Sequence, residues 1–465
     1  MIPLSLGEIA TVVEGKLHGD AGRMVTKEPF FDSRKAIPGG IFLALKGENV
    51  DGHEYVESAL AAGAAVAITT ELKGDCCIVV PDVLASINRL GAFVRAQLPQ
   101  LKVVGITGSQ GKTTTKDLTR HLLSLIGPTI APEQSFNNDL GVPLTLLRAT
   151  EKTEFCILEM GARHQGDIAR LVEMSQPNIG VVLVVGSAHI GEFGSRAKIA
   201  ETKSEIVSHL SAEALAILGT YDEYTPLMAE QTSARVIFFG EKSTCDIRGT
   251  DVEIREGRAH FDLVTPAGRE PVALRLIGRH QVPNALAAAA IATALGMPIE
   301  KIASGLSTAE IASKWRMEIS EISSILLIND SYNANPESMK AALETLRNFA
   351  QERGGRAWAF LGKMHELGGS SQLDHQGIIT FAQELEIDHV VAVATPDYGH
   401  GEIGSNSLVH HVNSFDEALD ISTEITSGDV ILIKGSRAEG LEKLSDYLKE
   451  SLNMRESTEE EREKR

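Results

Sequence analysis

The sequence predicts an α/β protein of three domains: a small α/β N-terminal domain, a central P-loop-type ATPase domain on a parallel sheet, and a C-terminal Rossmann-like doubly wound domain. Three observations support this prediction. A chain of 465 residues is too long for one ordinary core. Apolar runs alternate with helix-like segments from about residue 99, and the alternation restarts near residue 313. A glycine-rich turn of the phosphate-binding type follows the apolar run at 101–104.

The first domain is expected to span residues 1–98. Its segment IFLALKG predicts a strand over Ile41–Leu45, and EYVESALAAGAAVAIT predicts a helix, a glycine turn and a strand. The second domain, residues 99–312, contains the runs Phe155–Gly161 and Ile179–Gly186. Both runs are continuous and rich in β-branched residues, which is typical of parallel strands covered on both faces.

The third domain is expected over residues 313–465. Its first strand, Ser324–Asp330, precedes a helix that opens after Pro336, because proline suits an early helical position. Further strands are predicted in RAWAFLG, HVVAVA and DVILIKG, with helical segments between them, which gives a doubly wound unit. The highly charged last residues, SLNMRESTEEEREKR, predict a frayed helix or a disordered tail.

Composition excludes several classes of function. The net charge of −19 argues against nonspecific nucleic-acid binding, which needs a basic surface. Any phosphate ligand must therefore be held by local features, because the overall field repels it. The four cysteines show no metal-type spacing, and the N-terminus lacks a basic segment with a cleavage site. The most apolar run, 179–185, is too short to span a bilayer, so we expect a cytoplasmic protein.

The segment GITGSQGKTTTK, residues 105–116, predicts a nucleotide phosphate site. It follows an apolar run and precedes a helix-like segment, Asp117–Leu125. Its glycines allow the backbone N–H groups to approach phosphate oxygens. Lys112 offers a charge to the β- and γ-phosphates, and Thr113 offers a hydroxyl to Mg²⁺. The regular P-loop needs glycine where Ile106 stands, so a chance Gly-Lys-Thr in an ordinary turn is the alternative.

Three further residues lie where a ligand would bind. Glu159 ends a predicted parallel strand, so its carboxylate is expected on the ligand-binding edge, beside Thr113 and Mg²⁺. A solvated strand-end acid is the alternative. His189 closes the next apolar strand, where a packed or capping histidine is the alternative. Lys203 shares a helix face with isoleucines, and a half-buried lysine is costly unless it is paired or chemically altered.

Two segments of the third domain also carry polar residues at strand ends. INDSYNANPESM places Asp330, Tyr332 and Asn333 within one turn, which exceeds what helix capping needs, although a turn and cap without a ligand is the alternative. IKGSRAEG repeats the strand–glycine–helix arrangement and is able to hold an anion through Lys434 and Arg437.

These blocks together resemble the Mur ligases, the ATP-dependent amide-forming enzymes of bacterial peptidoglycan synthesis. The phosphate loop resembles that of the family, including its irregular glycine spacing. The N-terminal segment FDSRKAIPGGIFLALKGENVDGHEYV resembles a uridine-binding domain, and FNNDLGVPLTLL, EMGARHQGDI, AHIGEFGS, DSYNANPESM and IKGSR resemble later blocks. FNN..GVPLT with DSYNANP points to the branch that joins D-alanyl-D-alanine to a UDP-N-acetylmuramoyl-tripeptide.

The resemblance implies a reaction through an acyl phosphate. ATP would phosphorylate the terminal carboxylate of the tripeptide, and the amine of D-alanyl-D-alanine would then displace phosphate. The implied cofactors are ATP and Mg²⁺, and we expect a monomer without a nucleic-acid partner or a membrane-inserted segment. The alternatives are a sister Mur ligase that adds a single amino acid, a folylpolyglutamate synthase-like ligase, and a motor-type P-loop protein.

The resemblance also implies roles for individual residues. Catalytic roles fall on Lys112, Glu159, His189 and Lys203, and the metal ligands are Thr113, Glu159, His189 and, if carbamylated, Lys203. The ATP-binding residues would be Thr107, Gly108, Ser109, Gln110, Gly111, Lys112, Thr113, Thr114, Asn284, Arg316, Asp330, Tyr332 and Asn333. The substrate-binding residues would be Ser33, Arg34, Lys46, Gly47, Asn137, Asn138, His375 and Lys434.

The chain departs from the family pattern at three places. The family usually has His-Asn-x-x-Asn where this chain has Gln281 after its histidine. It usually has glycine where Trp315 precedes the nucleotide-contacting arginine, and an acid is common where Lys363 stands. These departures affect the expected contacts with adenine and the expected closure of the C-terminal domain onto the nucleotide. They do not affect the predicted fold.

Overall fold

The computed structural model describes residues 1–47, 50–132, 136–310, 313–399, 402–403 and 407–463. Within them the chain forms five-, nine- and seven-stranded sheets in sequence order, mostly parallel and flanked by helices, together with one two-stranded antiparallel pair. The predicted α/β fold class with three domains is confirmed. The domain boundaries at residues 98 and 312 stay predictions.

The N-terminal part carries the five-stranded sheet. Its strand order is β2-β7-β6-β5-β4, and β5 ends two residues before the predicted Leu45. The last helix, α3, packs against the helices α5 and α6 of the next part, and both parts contribute to one hydrophobic core. The elements are β1 (Leu4–Ser5), α1 (Leu6–Val12), β2 (Lys16–His18), β3 (Met24–Val25), β4 (Pro29–Phe30), β5 (Ile41–Leu43), α2 (Val56–Ala61), β6 (Val66–Thr69), β7 (Cys77–Val79) and α3 (Val83–Gln97).

The central part carries the nine-stranded sheet, in the order β16-β15-β14-β13-β12-β11-β8-β10-β9. Its elements are β8 (Lys102–Thr107), α4 (Lys112–Ser124), β9 (Thr129–Ile130), α5 (Gly141–Leu146), β10 (Phe155–Glu159), α6 (Asp167–Ser175), β11 (Ile179–Val182), α7 (Ile190–Phe193), α8 (Arg196–Ser208), β12 (Leu215–Gly219), β13 (Arg235–Gly240), β14 (Ile247–Arg255), β15 (Arg258–Thr265), β16 (Gly268–Ile277), α9 (Gln281–Ala294) and α10 (Ile299–Thr308).

Two features of this sheet differ from the sequence prediction. Helix α4 begins at Lys112 rather than Asp117, because Gly111, with φ +81°, turns the chain directly into the helix. Strands β14, β15 and β16 form an antiparallel extension that was not predicted. One face of this extension is buried and the other is polar, as alternating burial along β15 shows.

The C-terminal part carries the seven-stranded sheet, in the order β17-β18-β23-β19-β20-β22-β21. Helix α11 begins at Pro336, as predicted, and the Asn335 side chain caps it. The described part of the charged tail belongs to α14. The elements are β17 (Glu318–Ile322), β18 (Ile325–Asp330), α11 (Pro336–Arg353), β19 (Ala357–Leu361), α12 (Ser371–Glu384), β20 (His389–Val393), β21 (Glu402–Ile403), β22 (Ser407–Val412), α13 (Phe415–Ile421), β23 (Val430–Lys434) and α14 (Glu442–Glu463).

Strand order places the functional loops side by side. In the central sheet β8 lies between β10 and β11, all three parallel, so the loops that follow them meet at one edge. In the third sheet β18 and β23 are parallel neighbours, and Asp330 lies opposite Lys434 in register. The two sets of strand ends face each other across one cleft. No helix in the described ranges is long and apolar enough to cross a bilayer.

Candidate active site

The glycine turn after β8 forms the floor of the site. A Cβ atom on Gly111 would lie 2.2 Å from Asn284 Oδ1, and one on Gly108 would lie 2.9 Å from the Cβ of Leu183. Side chains are therefore excluded at both positions by close packing. Lys112 Nζ donates a hydrogen bond to the Gly108 carbonyl over 2.7 Å, which folds the lysine back over the turn.

A buried carboxylate lies beside this turn. Glu159, at the end of β10, is only 1% exposed. Its Oε2 accepts a hydrogen bond from the Thr113 hydroxyl at 3.0 Å, and its Oε1 accepts one from Asn137 Nδ2 at 3.0 Å. Arg316, which comes from the C-terminal side of the cleft, donates to the Thr113 hydroxyl at 3.0 Å. The solvated-acid alternative for Glu159 is therefore wrong.

Two lysines share this buried environment. Burial lowers the pKa of Lys112, and the nearby Glu159 carboxylate partly opposes that shift. Lys203, on α8, is 5% exposed. Burial, followed by repulsion from Lys112, lowers the pKa of Lys203 well below its ordinary value. The unmodified ammonium is therefore poorly accommodated at this position.

The C-terminal side of the cleft presents a second charged group. Lys434 is 2% exposed, and its Nζ lies 2.5 Å from Asp330 Oδ2 and 2.9 Å from the carbonyl of Asn333. The Arg316 guanidinium lies 4.2 Å from the ring centroid of Tyr332. Strand ends, a stacked arginine and a buried ion pair thus form one polar wall that faces the glycine turn.

His189 links the two sides. It lies in the loop after β11 with φ +64°, in the left-handed region that non-glycine residues rarely adopt. Its Nδ1 lies 2.5 Å from Glu366 Oε2, which belongs to the C-terminal part. The packed-histidine alternative is not favoured, because His189 also lines the cleft. No cluster of three or more His, Cys, Asp or Glu residues able to hold a metal occurs among the described residues.

The cleft between the central and C-terminal parts encloses a cavity of about 620 Å³. Most residues predicted to bind nucleotide or metal line it: Ser109, Gln110, Gly111, Lys112, Thr113, Thr114, Glu159, His189, Asn284, Arg316, Asp330, Tyr332 and Asn333. Two predicted substrate-binding residues, Asn137 and Lys434, line it too. Thr107, Gly108 and Lys203 lie next to the cavity without lining it.

Sequence reasoning missed several lining residues, among them Arg196, Asp222 and Glu337. Asp222 accepts the amide N–H of Val185 at 3.0 Å and so shapes the loop after β11. The only feature of the sequence that indicates Asp222 is its position three residues after strand β12, which ends at Gly219. Glu337 had a stronger signal, because it directly follows Pro336 at the start of a strand-end helix.

The remaining predicted substrate residues lie apart from the cavity. Ser33 and Arg34 form a short turn in the N-terminal part, where the exposed Arg34 pairs with Asp32 at 2.9 Å. Lys46 forms an isolated backbone bridge with Asp51, and the amide N–H of Gly47 donates to the Val50 carbonyl at 2.9 Å. Asn138 accepts the amide N–H of Gly141 at 3.0 Å and thereby shapes the start of α5.

His375 requires a correction. The side chain is 0% exposed, and its Nε2 accepts the amide N–H of Met364 at 3.0 Å while Nδ1 lies 2.6 Å from the carbonyl of Ser371. Burial lowers the pKa of His375, and the Nε2 atom that accepts the Met364 amide carries no proton. No surface of this ring is available to a ligand, which argues against His375 as a direct dipeptide contact. Lys434 lies in the wall described above, paired with Asp330.

The three departures from the family pattern have structural counterparts. Trp315 has φ +60°, a conformation that glycine adopts without strain, and its ring lies 4.3 Å from the Arg437 guanidinium. Gln281 Oε1 accepts a hydrogen bond from Asn284 Nδ2 at 2.9 Å, so it orients that amide. Lys363 lies 3.7 Å from Asp397, within the C-terminal part.

The fold and site define a class of protein. A lysine on a glycine turn, a strand-end carboxylate and an opposing arginine and aspartate form a nucleotide-dependent phosphoryl-transfer site between two α/β domains. Family models match three ranges: "Mur ligase family, catalytic domain" at residues 30–89, "Mur ligase middle domain" at 106–292, and "Mur ligase, glutamate ligase domain" at 315–437. The chain belongs to the Mur ligase family.

Individual relatives match over nearly the whole chain. The UDP-N-acetylmuramoyl-tripeptide–D-alanyl-D-alanine ligase of Mycobacterium bovis is 39% identical over 96% of this chain and 98% of its own length. The crystal structure of MurF from Acinetobacter baumannii is similar with a TM-score of 0.87 and 36% identity, covering 96% of this chain and 99% of that one. MurF from Thermotoga maritima, solved in complex with ADP, is similar with a TM-score of 0.80 and 28% identity, covering 93% of this chain and 99% of that one.

The predicted enzyme class is therefore confirmed: the protein is an ATP-dependent ligase that forms an amide bond. The motor-type alternative is excluded.

Proposed function

We propose that the protein joins D-alanyl-D-alanine to a UDP-N-acetylmuramoyl-tripeptide in peptidoglycan precursor synthesis. The observation that carries the proposal is the charge-lined cleft, in which Arg316 from the C-terminal side reaches the hydroxyl of Thr113, the residue that follows Lys112. The names of the relatives that match over the whole chain support this substrate pair. A sister Mur ligase or a folylpolyglutamate synthase-like activity is not favoured, because those relatives carry the D-alanyl-D-alanine ligase name.

The chemistry follows from the charges. A carboxylate and the γ-phosphate repel each other, so cations must lie between them. A tripeptide carboxylate oxygen attacks the γ-phosphorus and the bond to ADP breaks, which gives an acyl phosphate. The dipeptide amine then attacks the acyl carbon, the C–N bond forms, phosphate leaves, and the amine loses a proton. Lys112 would neutralise the transferred phosphoryl group, with Arg316 acting from the opposite wall.

Mg²⁺ is part of the proposal, and the residues present fit it. The Thr113 hydroxyl and Glu159 carboxylate lie in contact, and Mg²⁺ prefers oxygen ligands of this kind. Asn137 holds the other carboxylate oxygen and fixes the orientation of Glu159. His189 has its Nδ1 occupied by Glu366, so Nε2 is its available nitrogen. Bound Mg²⁺ would supply positive charge to the phosphate oxygens.

We also propose that Lys203 is carbamylated. A neutral amine adds to CO₂, an N–C bond forms and a proton leaves, which converts the side chain into an anion. Support comes from the burial of Lys203 beside Lys112, where a second ammonium is repelled and an anion is attracted. The carbamate would then complete the set of metal ligands.

ADP release tests the proposed function. The purified protein is incubated with ATP, Mg²⁺ and a UDP-N-acetylmuramoyl-tripeptide ending in lysine or in diaminopimelate, with and without D-alanyl-D-alanine. Sustained ADP release is expected only when both the tripeptide and the dipeptide are present. Equal release with a single amino acid in place of the dipeptide would favour the sister activity instead.

Cellular context completes the proposal. The four buried free cysteines accord with a reducing compartment, so we place the enzyme in the cytoplasm. We propose a monomer without a nucleic-acid partner, in line with the strongly negative net charge. Light scattering after size-exclusion chromatography at several concentrations tests the oligomeric state.

A further inference from the structure

Residues 186–191, which lead from the loop after β11 into the first turn of α7 and are here called the bridging loop, are hydrogen-bonded to the phosphate loop. The amide N–H of Gly186 donates to Ser109 Oγ at 2.8 Å, and Ser109 Oγ lies 3.4 Å from the carbonyl of Gly186. The amide N–H of Ser109 also donates to the Val184 carbonyl, just before the loop, at 2.9 Å. Any shift of the bridging loop is therefore transmitted to a residue that lines the nucleotide cavity.

The other side of the bridging loop is held by two acids of the C-terminal part. Glu337, in the first turn of α11, accepts the amide N–H of Ser187 at 2.8 Å and the Ser187 hydroxyl at 2.9 Å. Glu366 contacts His189 Nδ1 at 2.5 Å, and its carbonyl accepts the amide N–H of Gly191 at 3.0 Å. Glu337 therefore contacts the beginning of the bridging loop, and Glu366 contacts its end.

The loop conformation depends on these contacts. His189 has φ +64°, and such a conformation persists in a non-glycine residue only when its surroundings impose it. A Cβ atom on Gly191 would lie 2.6 Å from the amide nitrogen of Gly368, so the two backbones touch directly. If the C-terminal part separated from the central part, the loop would lose both carboxylate partners and the backbone contact together.

We propose that Glu337 and Glu366 are positioning residues that couple docking of the C-terminal domain to the placement of Ser109 and His189. Neither acid is assigned a role in the reaction steps described above. They act through the bridging loop. Ser109 of the phosphate loop and His189 reach the positions described above only when Glu337 contacts Ser187 and Glu366 contacts His189. The kinetic part of this inference rests on the proposed function, whereas the conformational part does not.

Hydrogen exchange on the full-length protein tests the conformational part. Glu337→Ala removes the direct acceptor of the Ser187 amide and is expected to increase exchange there. Glu366→Ala does not touch Ser187, yet it is expected to increase exchange at the Ser187 amide too, because the loop docks as one unit. Two controls are matched. Glu439→Ala removes a similar pair, His365 with Glu439 at 2.5 Å, that lies wholly within the C-terminal part, and Glu344→Ala changes an exposed acid of α11.

Steady-state kinetics tests the catalytic part. Each alanine variant is expected to lower kcat roughly tenfold, with KM values changed less than about twofold, because a charge-assisted contact that positions the site is lost. The conservative Glu337→Gln and Glu366→Gln variants keep an acceptor oxygen and are expected to recover part of that loss. If an alanine variant does not fold, the kcat of the corresponding glutamine variant tests the inference instead.

The outcomes are separable. Unchanged exchange at Ser187 in Glu366→Ala, as in the two controls, would overturn the inference. Increased exchange at Ser187 with kcat at the level of the controls would overturn it as well, since the contact would then be structural only. Absence of ligase activity in the unaltered protein would refute the proposed function while leaving the exchange result to decide whether the loop docks as one unit.

Discussion

Replacing Lys112 with methionine removes the charge at the centre of the proposed mechanism while keeping most of the side-chain volume. The lysine is enclosed, lies over the glycine turn and makes one described hydrogen bond, to the Gly108 carbonyl at 2.7 Å. Loss of one such bond costs folding stability only about 1 kcal/mol. Relief from burying a charge offsets part of that cost, so the fold of Lys112→Met should persist.

The catalytic effect should be much larger. Removing one preorganised donor from a site that excludes water costs roughly 100- to 1000-fold in kcat, or about 3–4 kcal/mol of transition-state stabilisation. We therefore expect Lys112→Met to lose at least a hundredfold in kcat with an unfolding temperature close to that of the unaltered protein. The assay is ADP release with tripeptide and dipeptide both saturating, beside thermal unfolding of the same samples.

Lys116 provides the contrast. It lies one turn further along α4, is 1% exposed, and pairs with Asp117 at 2.9 Å outside the cavity. Lys116→Met should destabilise the fold by about 3 kcal/mol, because it leaves a buried carboxylate without its partner, and the folded fraction should keep near-normal kcat. A kcat within about threefold of normal in Lys112→Met would refute the electrostatic reasoning.

Three further predictions concern other parts of the molecule. Lys203→Ala should be nearly inactive and should partly recover activity with added acetate or formate. The control Lys198→Ala, which changes an exposed lysine of the same helix, should remain active. Full activity of Lys203→Ala without added acid would show that Lys203 is not part of the site. Asp330→Ala should weaken nucleotide binding about tenfold or more in calorimetry, because Asp330 lines the nucleotide cavity and its ion pair with the buried Lys434 holds that wall in place. Asp429→Asn should cost about 2 kcal/mol in denaturant unfolding, because the carboxylate accepts from Arg356 and Trp358.

The Asp429 effect should depend on pH in a defined direction. Burial alone would raise the pKa of Asp429, but hydrogen bonds from Arg356 and from the Thr426 amide outweigh it and leave the pKa below its ordinary value. A lowered carboxyl pKa contributes stability above the unfolded-state value, near 4, and this contribution disappears as the pH falls through the folded-state pKa. The stability difference between the two proteins should therefore shrink below about pH 4; a constant difference would contradict this assignment.

The sequence predicted the strand ends well because parallel strands leave a strong local signal. Buried β-branched runs followed by polar residues located Glu159 and Asp330 at the ends of β10 and β18. The prediction that His189 closes its strand is wrong, because β11 ends at Val182 and His189 lies seven residues further on, directly before α7. All three residues nevertheless line one cavity. The start of α4 was placed too late, because the prediction relied on the apolar pattern of the helix. Its first turn is instead set by Gly111, which has φ +81° and lies so close to Asn284 that a Cβ atom there would clash.

Other features depend on contacts between distant parts of the chain and leave little local trace. The antiparallel strands β14–β16 contain many charged residues, and only their register in the sheet shows which face is buried. His375 resembled a site residue, yet its ring is enclosed by Met364 and Ser371. The pairing of Glu366 with His189 joins residues 177 positions apart, which no local pattern reveals.

The central claim is that the terminal carboxylate of the tripeptide becomes phosphorylated before the amide forms. The direct measurement uses UDP-N-acetylmuramoyl-tripeptide whose terminal carboxylate carries oxygen-18, with unlabelled ATP, Mg²⁺ and D-alanyl-D-alanine. Mass spectrometry of the released phosphate should show one labelled oxygen in each phosphate, because the carboxylate oxygen leaves with phosphorus when the amine attacks. Released phosphate without the label, alongside a newly formed amide, would contradict the acyl-phosphate route.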